Sequence, residues 1–294
     1  MKLYDPSMIR MIRNQYKFRF SKNLGQNFLT NGSVLEDMAD AAAVGPDDYV
    51  LEIGPGIGTL TSVLCERAGH VTAVEVDEEL LPILDFTLSE YHNVNIISGD
   101  ILKQDIPSLL TDEKEKWLRK DAPVKIMGNL PYYITTPILM AILKSRPAAE
   151  SLTVMVQKEV AERIASGPGT KAYGALSVAV QYFCEAEIIR IVPKEDFMPA
   201  PKVDSAVLHM RFRKVPAVET KSEEWYFRTV RAAFQQRRKT LLNSLSGLGK
   251  PKNEIERCLN AAGIDPKRRA ETLDLAEFAR LADGLSEENV CVQD

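Results

Sequence analysis

Four consecutive residues, Asn129-Leu130-Pro131-Tyr132, combine a side-chain amide, a free backbone carbonyl, a stiffened backbone and an aromatic face. An amide oxygen and a carbonyl can both accept from one exocyclic amine, so the set suits a flat ring bearing an amino group, such as adenine. The lone pair of that amine is delocalised into its ring, and chemistry at the nitrogen requires both N–H bonds to be held and a pyramidal geometry to be favoured. Pro131 fixes its own φ and biases Leu130 toward an extended conformation, which aims the Leu130 carbonyl, while Tyr132 offers a face for stacking. A plain polar Pro-Tyr turn would contain the same four residues, so the neighbouring motifs decide.

Upstream, Val50-Leu51-Glu52-Ile53 runs into Gly54-Pro55-Gly56-Ile57-Gly58 and then into a helical pattern. Glycines at that point let the backbone approach a bound cofactor. The spacing is G-x-G-x-G with an acid two residues before the first glycine, whereas the dinucleotide fingerprint is G-x-G-x-x-G, which argues against NAD. His70 to Glu75 ends in an acid 21 positions after Gly54, close to the spacing of roughly 20 at which a carboxylate meets ribose hydroxyls, so Glu75 is the candidate for that contact. Val94 to Ile97 leads into Ser98-Gly99-Asp100-Ile101, where the Asp100 carboxylate and the adjoining Ile101 backbone can read the edge of an adenine ring. Asp77 and Asp105 fit a solvated strand end as well as they fit a ligand. Acid, glycine loop, acid and acid after successive strands, then the amide-Pro-Tyr turn, form a series that resembles the sites of S-adenosylmethionine-dependent methyltransferases.

These motifs need strands to carry them. Candidate strands fall at about 50–53, 71–75, 94–97, 124–128, 152–157, 186–192 and 205–212, with helical stretches between the early ones, which implies a mostly parallel α/β sheet. A Pro-rich loop rather than a helix joins the last two, as for an antiparallel pair at an edge. After Val215 the pattern is wholly helical, so residues 1–215 are read as one domain with a basic N-terminal arm and 216–294 as a small all-helical one. In Ser222 to Leu245, Phe227, Val230, Phe234, Leu241 and Leu245 recur on one face of a single helix, with Arg228, Arg231, Gln235, Arg238 and Lys239 along its flank.

The charge distribution gives that flank a purpose. The chain of 294 residues has a formal net charge of −4, yet residues 1–25 carry +5 and residues 210–252 carry +8, leaving −17 for the rest. Basic segments around an acidic body suit a polyanion gripped at particular faces. Arg228, Arg231, Arg237, Arg238 and Lys239 are the expected phosphate contacts, joined by Lys267-Arg268-Arg269. Cys65, Cys184, Cys258 and Cys291 form no C-x-x-C pair, and His70, His92 and His209 are scattered, so neither a metal site nor a disulfide framework is expected. With 45% apolar residues, no apolar run of spanning length and no signal-peptide h-region, a cytoplasmic enzyme is expected, without membrane attachment.

Almost end to end, the chain resembles the ribosomal small-subunit adenine dimethyltransferases, relatives of the erythromycin-resistance rRNA methyltransferases. The resemblance rests on the motifs above together with Leu24-Gly25-Gln26-Asn27-Phe28-Leu29, Gln157-Lys158-Glu159-Val160, Phe197 to Ser205, and Phe234-Gln235-Gln236-Arg237-Arg238-Lys239-Thr240-Leu241. It implies a Rossmann-like seven-stranded methyltransferase sheet and S-adenosylmethionine held by Asn27, Leu29, Gly54, Gly56, Glu75, Asp100, Ile101 and Asn129. It further implies a target base between Tyr132 and Phe197, with Asn129, Leu130 and Pro131 completing the catalytic turn. The implied reaction is dimethylation at N6 of two adjacent adenosines near the 3′ end of 16S rRNA, within an immature 30S subunit, by a monomer. Two other readings stay open: a resistance enzyme modifying 23S rRNA, against which Leu130 and the basic helical domain argue, and a non-catalytic ribosome-assembly factor, against which the intact Gly54, Glu75, Asp100 and Asn129 argue.

Overall fold

A computed structural model describes residues 2–18, 20–21 and 24–287; Arg19 and Lys22 of the basic arm, and Cys291, lie outside the described residues. Strands β1 (Phe28–Leu29), β2 (Tyr49–Ile53), β3 (His70–Glu75), β4 (Val94–Ser98), β5 (Val124–Asn129), β6 (Ser151–Gln157), β7 (Cys184–Val192), β8 (Phe197–Met198) and β9 (Ser205–Phe212) follow in chain order. Seven of them form one sheet in the order β4-β3-β2-β5-β6-β9-β7. β2 is parallel to both β3 and β5, β3 to β4 and β5 to β6, while β9 runs antiparallel to β6. Every residue of β2 and of β3 is buried, which is why these segments read as unbroken rather than alternating apolar runs.

Chain order reverses between β2 and β5: β3 and β4 follow on one side, β6 on the other. A crevice opens at the carboxyl ends of the strands at such a reversal. The glycine loop leaves β2 and the Asn129 turn leaves β5, so the two motifs flank it. The strands approach closely there: a Cβ added at Gly128 would lie 2.5 Å from the Ile53 carbonyl oxygen.

Two elements escaped the sequence reading. β1 and β8 pair antiparallel, Phe28 opposite Met198 and Leu29 opposite Phe197. Strands of two residues carry no periodicity, so only the fold can reveal them. The pairing ties the N-terminal arm to the Pro-rich loop, supported by Thr30 N–H donating to the Asp196 carbonyl at 2.7 Å and the Asn31 amide donating to the Asp196 carboxylate at 2.9 Å.

By packing, the chain divides into residues 1–161 with 187–212, and residues 162–186 with 213–294. Residues 162–186, assigned from sequence to the first domain, thus pack with the C-terminal segment; a helical hairpin half carries no local mark of which core will bury it. The single helix expected from Ser222 to Leu245 is broken. One helix spans Glu223–Phe234, residues 235–240 are turn and extended, and a short helix covers Leu241–Ser244. Leu241 N–H donates to the Arg268 carbonyl instead of to a residue one turn back, so a tertiary partner wins over propensity. Among the described residues no helix is long and apolar enough to cross a membrane.

Candidate active site

One cavity is lined by residues from both flanking motifs and from the arm, among them Asn27, Leu29, Gly54, Glu75, Asn129 and Tyr132. Asn129 closes β5, and its Nδ2 donates to the Asn27 backbone carbonyl at 3.1 Å. A carbonyl only accepts, so this bond fixes which end of the amide faces where and leaves Oδ1 as the open acceptor. Leu130 N–H donates to the Met155 carbonyl at 3.1 Å, while among the described residues nothing donates to the Leu130 carbonyl. The Pro131 carbonyl accepts from Ile134 N–H at 3.2 Å and from the Thr135 hydroxyl at 3.0 Å, which welds the turn onto the helix Thr135–Ser145. Tyr132 Oη and Ser205 Oγ lie 2.5 Å apart, and burial raises the Tyr132 phenol above its ordinary range.

The glycine loop has its own anchor. Gly56 N–H donates to Glu75 Oε2 at 3.1 Å, and Asp77 N–H donates to Glu75 Oε1 at 2.8 Å. Glu75 is only 4% exposed, and burial raises its carboxyl against the lowering effect of those two donors. Gly54 adopts φ +70°, and a Cβ there would have nothing within 4 Å, so the loop stands open at that point. Gly56, at φ +63°, has no such room: its added Cβ would lie 2.9 Å from the Phe28 ring.

Three groups in or beside the cavity were not singled out as site residues. Glu52 is 1% exposed, its Oε2 has no hydrogen-bond partner among the described residues, and burial pushes its carboxyl up to about 8. Gln26 donates through Nε2 to Asp77 Oδ2 at 2.6 Å and accepts through Oε1 from Ser21 N–H at 2.8 Å, bracing the arm against the end of β3. Ser205 is fully buried beneath Tyr132. All three sit inside motifs recognised from sequence, but Gln26 meets Asp77 51 positions away and Ser205 meets Tyr132 73 positions away, which no local pattern marks.

Not every expected residue meets at the cavity. Asp100 caps the turn that follows β4, accepting from Leu102 N–H at 3.0 Å, and neither it nor Ile101 lines the cavity. Phe197 is 5% exposed and belongs to a core cluster with Leu29, Met155 and Val207, so it lies behind the lining residues Leu29 and Met155 and not on the lining itself. The β1–β8 pairing draws it inward.

The expected cationic ridge is also uneven. Arg237 donates to the carbonyls of Lys171 and Tyr173, and the Arg228 guanidinium lies 4.6 Å over the Trp225 ring. Arg268 forms an ion pair with Glu277 at 2.5 Å and donates to the Thr272 carbonyl at 2.7 Å, so it builds the unit rather than standing open. Arg231, Arg238 and Lys239 are exposed, with no ion-pair partner among the described residues.

Comparison with known proteins agrees with this geometry. The family profile described as "Ribosomal RNA adenine dimethylase" matches residues 17–287. A protein named ribosomal RNA small subunit methyltransferase A from Alkaliphilus metalliredigens is 50% identical over 282 residues, 95% of this chain and 96% of the relative. The protein of that name from Listeria monocytogenes is 48% identical over 286 residues, 96% of each chain. Among solved structures, the 23S rRNA methyltransferase ErmE has a TM-score of 0.67 at 29% identity, covering 88% of this chain and all of its own. A dimethyladenosine transferase from Plasmodium falciparum, with a TM-score of 0.69 at 24% identity over 89% of this chain and 97% of its own, shares the fold. With the amide turn, the glycine loop and the buried acid converging at the strand reversal, and the match running over nearly the whole length, the chain belongs to the ribosomal RNA adenine dimethylase family.

Proposed function

We propose that the protein dimethylates N6 of two adjacent adenosines near the 3′ end of 16S rRNA during small-subunit maturation, with S-adenosylmethionine as methyl donor. The observation that carries this reading is the orientation of the Asn129 amide: pinned through Nδ2 to the Asn27 carbonyl, it leaves Oδ1 free, and with the unengaged carbonyl of the next residue, Leu130, this makes two acceptors for one amine. The relatives at about half identity bear small-subunit names, whereas ErmE, which bears a 23S name, is more distant, and this favours the small-subunit substrate.

The residues present fit the cofactor. Gly54 leaves open space where any side chain would intrude, Glu75 is a buried carboxylate at the end of β3 suited to ribose hydroxyls, and Glu52 holds a buried oxygen without a partner. Asn27, Leu29, Gly54, Gly56, Glu75 and Asn129 would hold it, and Asp100 and Ile101, which follow β4 outside the cavity lining, would add contacts from the neighbouring strand end. When bound, it supplies an electrophilic methyl group. The protein supplies position: Asn129 Oδ1 and the Leu130 carbonyl take the two N6–H bonds, pulling nitrogen toward a pyramidal geometry with its lone pair directed away from both acceptors. Tyr132 stacks on the base, held by Ser205, and Phe197 backs the same wall from the core. Reaching the adenosine requires drawing it out of its stack, at a cost of a few kcal/mol that is smallest in a single-stranded or loop context. The exposed Arg231, Arg238 and Lys239 contact RNA phosphates. We place the enzyme in the cytoplasm as a monomer acting on immature 30S particles.

Labelled methyl transfer to small-subunit particles lacking the modification, followed by mass spectrometry of the nucleosides, tests this. The expected product is N6,N6-dimethyladenosine in 16S rRNA, lost at least 100-fold in Asn129→Ala, as removal of one positioning group costs on the order of 10²-fold. Label confined to 23S rRNA would assign the resistance activity instead, and RNA binding with no affinity for the cofactor would make the protein a non-catalytic assembly factor.

A further inference from the structure

A second cavity of about 830 Å³ adjoins the first and shares Gly25, Gln26 and Asn27 with it. Its other walls include Arg13 and Lys17 from the arm, Phe20, and Pro199 from the loop after β8. Nothing in the methyl-transfer chemistry above uses it. Its size falls within the range of sites for molecules as large as a nucleotide. Arg13 and Lys17 are both exposed and, among the described residues, neither has a carboxylate partner. Other surface arginines of the same unit are neutralised, Arg67 by Glu36 and Asp40 and Arg190 by Asp37. Two cations kept without counter-charges beside a cavity ask for an anion. The Arg13 guanidinium lies 5.8 Å over the Phe20 ring, so one wall is both flat and positive. An isolated phosphate would have no use for that flat wall, and an uncharged aromatic molecule would have no use for Lys17. A base with its phosphate uses both.

We infer that this cavity holds the nucleotide next to the target adenosine in the RNA strand, its base against the Arg13–Phe20 wall and its phosphate toward Lys17. The inference rests on the proposed rRNA-methylating activity. Continuity carries it: the shared residues Gly25 to Asn27 separate the two cavities, so a strand delivering a base to Asn129 in the first places its neighbour at the second. Gln26 is already held at both ends of its amide, by Asp77 and Ser21, and turns no more than one N–H and one lone pair toward the cavity, whereas the Arg13–Phe20 wall offers a whole face. The wall therefore accepts a base by its face and discriminates little between bases, as stacking does.

The test uses the full-length protein and a short 16S-derived hairpin with two adjacent adenosines, with an abasic site placed in turn 5′ and 3′ of the target. In the wild type one of the two abasic positions weakens RNA binding on the order of tenfold. Arg13→Ala with Lys17→Ala weakens binding of the intact RNA to a similar degree and lowers the slope of log affinity against log salt by about 0.7, while cofactor affinity is unchanged. The same abasic RNA then loses no further affinity in the double variant, and Arg13→Lys with Lys17→Arg restores binding but not the abasic sensitivity. Unchanged affinity in the alanine variant, or fully additive losses, would overturn the assignment of this cavity while leaving the methyl-transfer reading intact. A wild type that binds cofactor but transfers no methyl to small-subunit RNA would overturn both.

Discussion

At the scale of single residues, the site depends on groups whose orientation is set by partners rather than by their own rotamers. Asn129 is held by a backbone carbonyl, Tyr132 by a hydroxyl, and Glu75 by two backbone N–H donors. The Tyr132–Ser205 contact joins the Asn129 turn to the start of β9. If Ser205 acts by fixing the Tyr132 ring, then Tyr132→Phe and Ser205→Ala each raise KM for RNA several-fold with little change in kcat, and the double variant is no worse than either single one. A double-mutant cycle on transfer kinetics measures this, and additive effects would show that the two residues act separately. Leu130 is fixed differently: the residue is 1% exposed, so packing holds its place in the turn.

At the scale of elements, the β2–β5 contact sets the width of the crevice. With the Cβ of Gly128→Ala placed 2.5 Å from the Ile53 carbonyl oxygen, backbone must move, because neither atom belongs to a flexible side chain. Overpacking of this kind costs about 1–3 kcal/mol, read as a lower denaturation midpoint, together with weaker cofactor binding as the two loops separate. Gly167→Ala, where an added Cβ meets nothing within 4 Å, is the neutral control. Glu52, next to the last residue of β2, makes the same element pH-sensitive. Its carboxyl titrates near 4.5 when unfolded and about 8 in the fold, so between those values the unfolded chain has released a proton that the folded chain keeps. Stability therefore falls as pH rises through this window. Glu52→Gln removes the dependence, and the cofactor-free variant should melt several degrees above wild type at about pH 8 with the gap closing toward about pH 5, each kcal/mol moving Tm by about 2–4 °C. Melts showing a gap independent of pH would contradict this.

At the scale of the whole molecule, each of the two units carries its own cationic surface on a chain whose total is −4. In the C-terminal unit the surface is narrower than its composition suggests, because Arg237 and Arg268 are spent on the unit's own carbonyls and on Glu277. Arg238→Ala with Lys239→Ala should weaken RNA binding and lower the salt slope by about 1.4–1.8, leaving Tm and cofactor affinity unchanged. Arg237→Ala should instead lower Tm, since it leaves two carbonyls without their donor. Titrations across ionic strength, paired with thermal melts, separate the two kinds of arginine; a Tm loss in the Arg238/Lys239 pair equal to that of Arg237→Ala would erase the distinction.

By itself the sequence determined the α/β sheet, the order of its motifs and the placing of the Asn129 turn after a strand, because these follow from apolar runs, glycine spacing and residue types within a few positions of one another. All seven strands of the main sheet were legible for that reason. What joins residues far apart in the chain was decided only by tertiary structure. The β1–β8 clasp, the Asn27 carbonyl that orients Asn129, the Ser205 hydroxyl under Tyr132 and the packing of residues 162–186 with the C-terminal segment all span separations that no local pattern encodes. The broken helix after Phe234 belongs with them: helical periodicity runs through residues 235–240, but a hydrogen bond to Arg268 and the carbonyls facing Arg237 offer the chain more there than another helical turn would. Local patterns specify which elements form, and long-range hydrogen bonds and burial decide where they stop and which side chains they aim into the crevice.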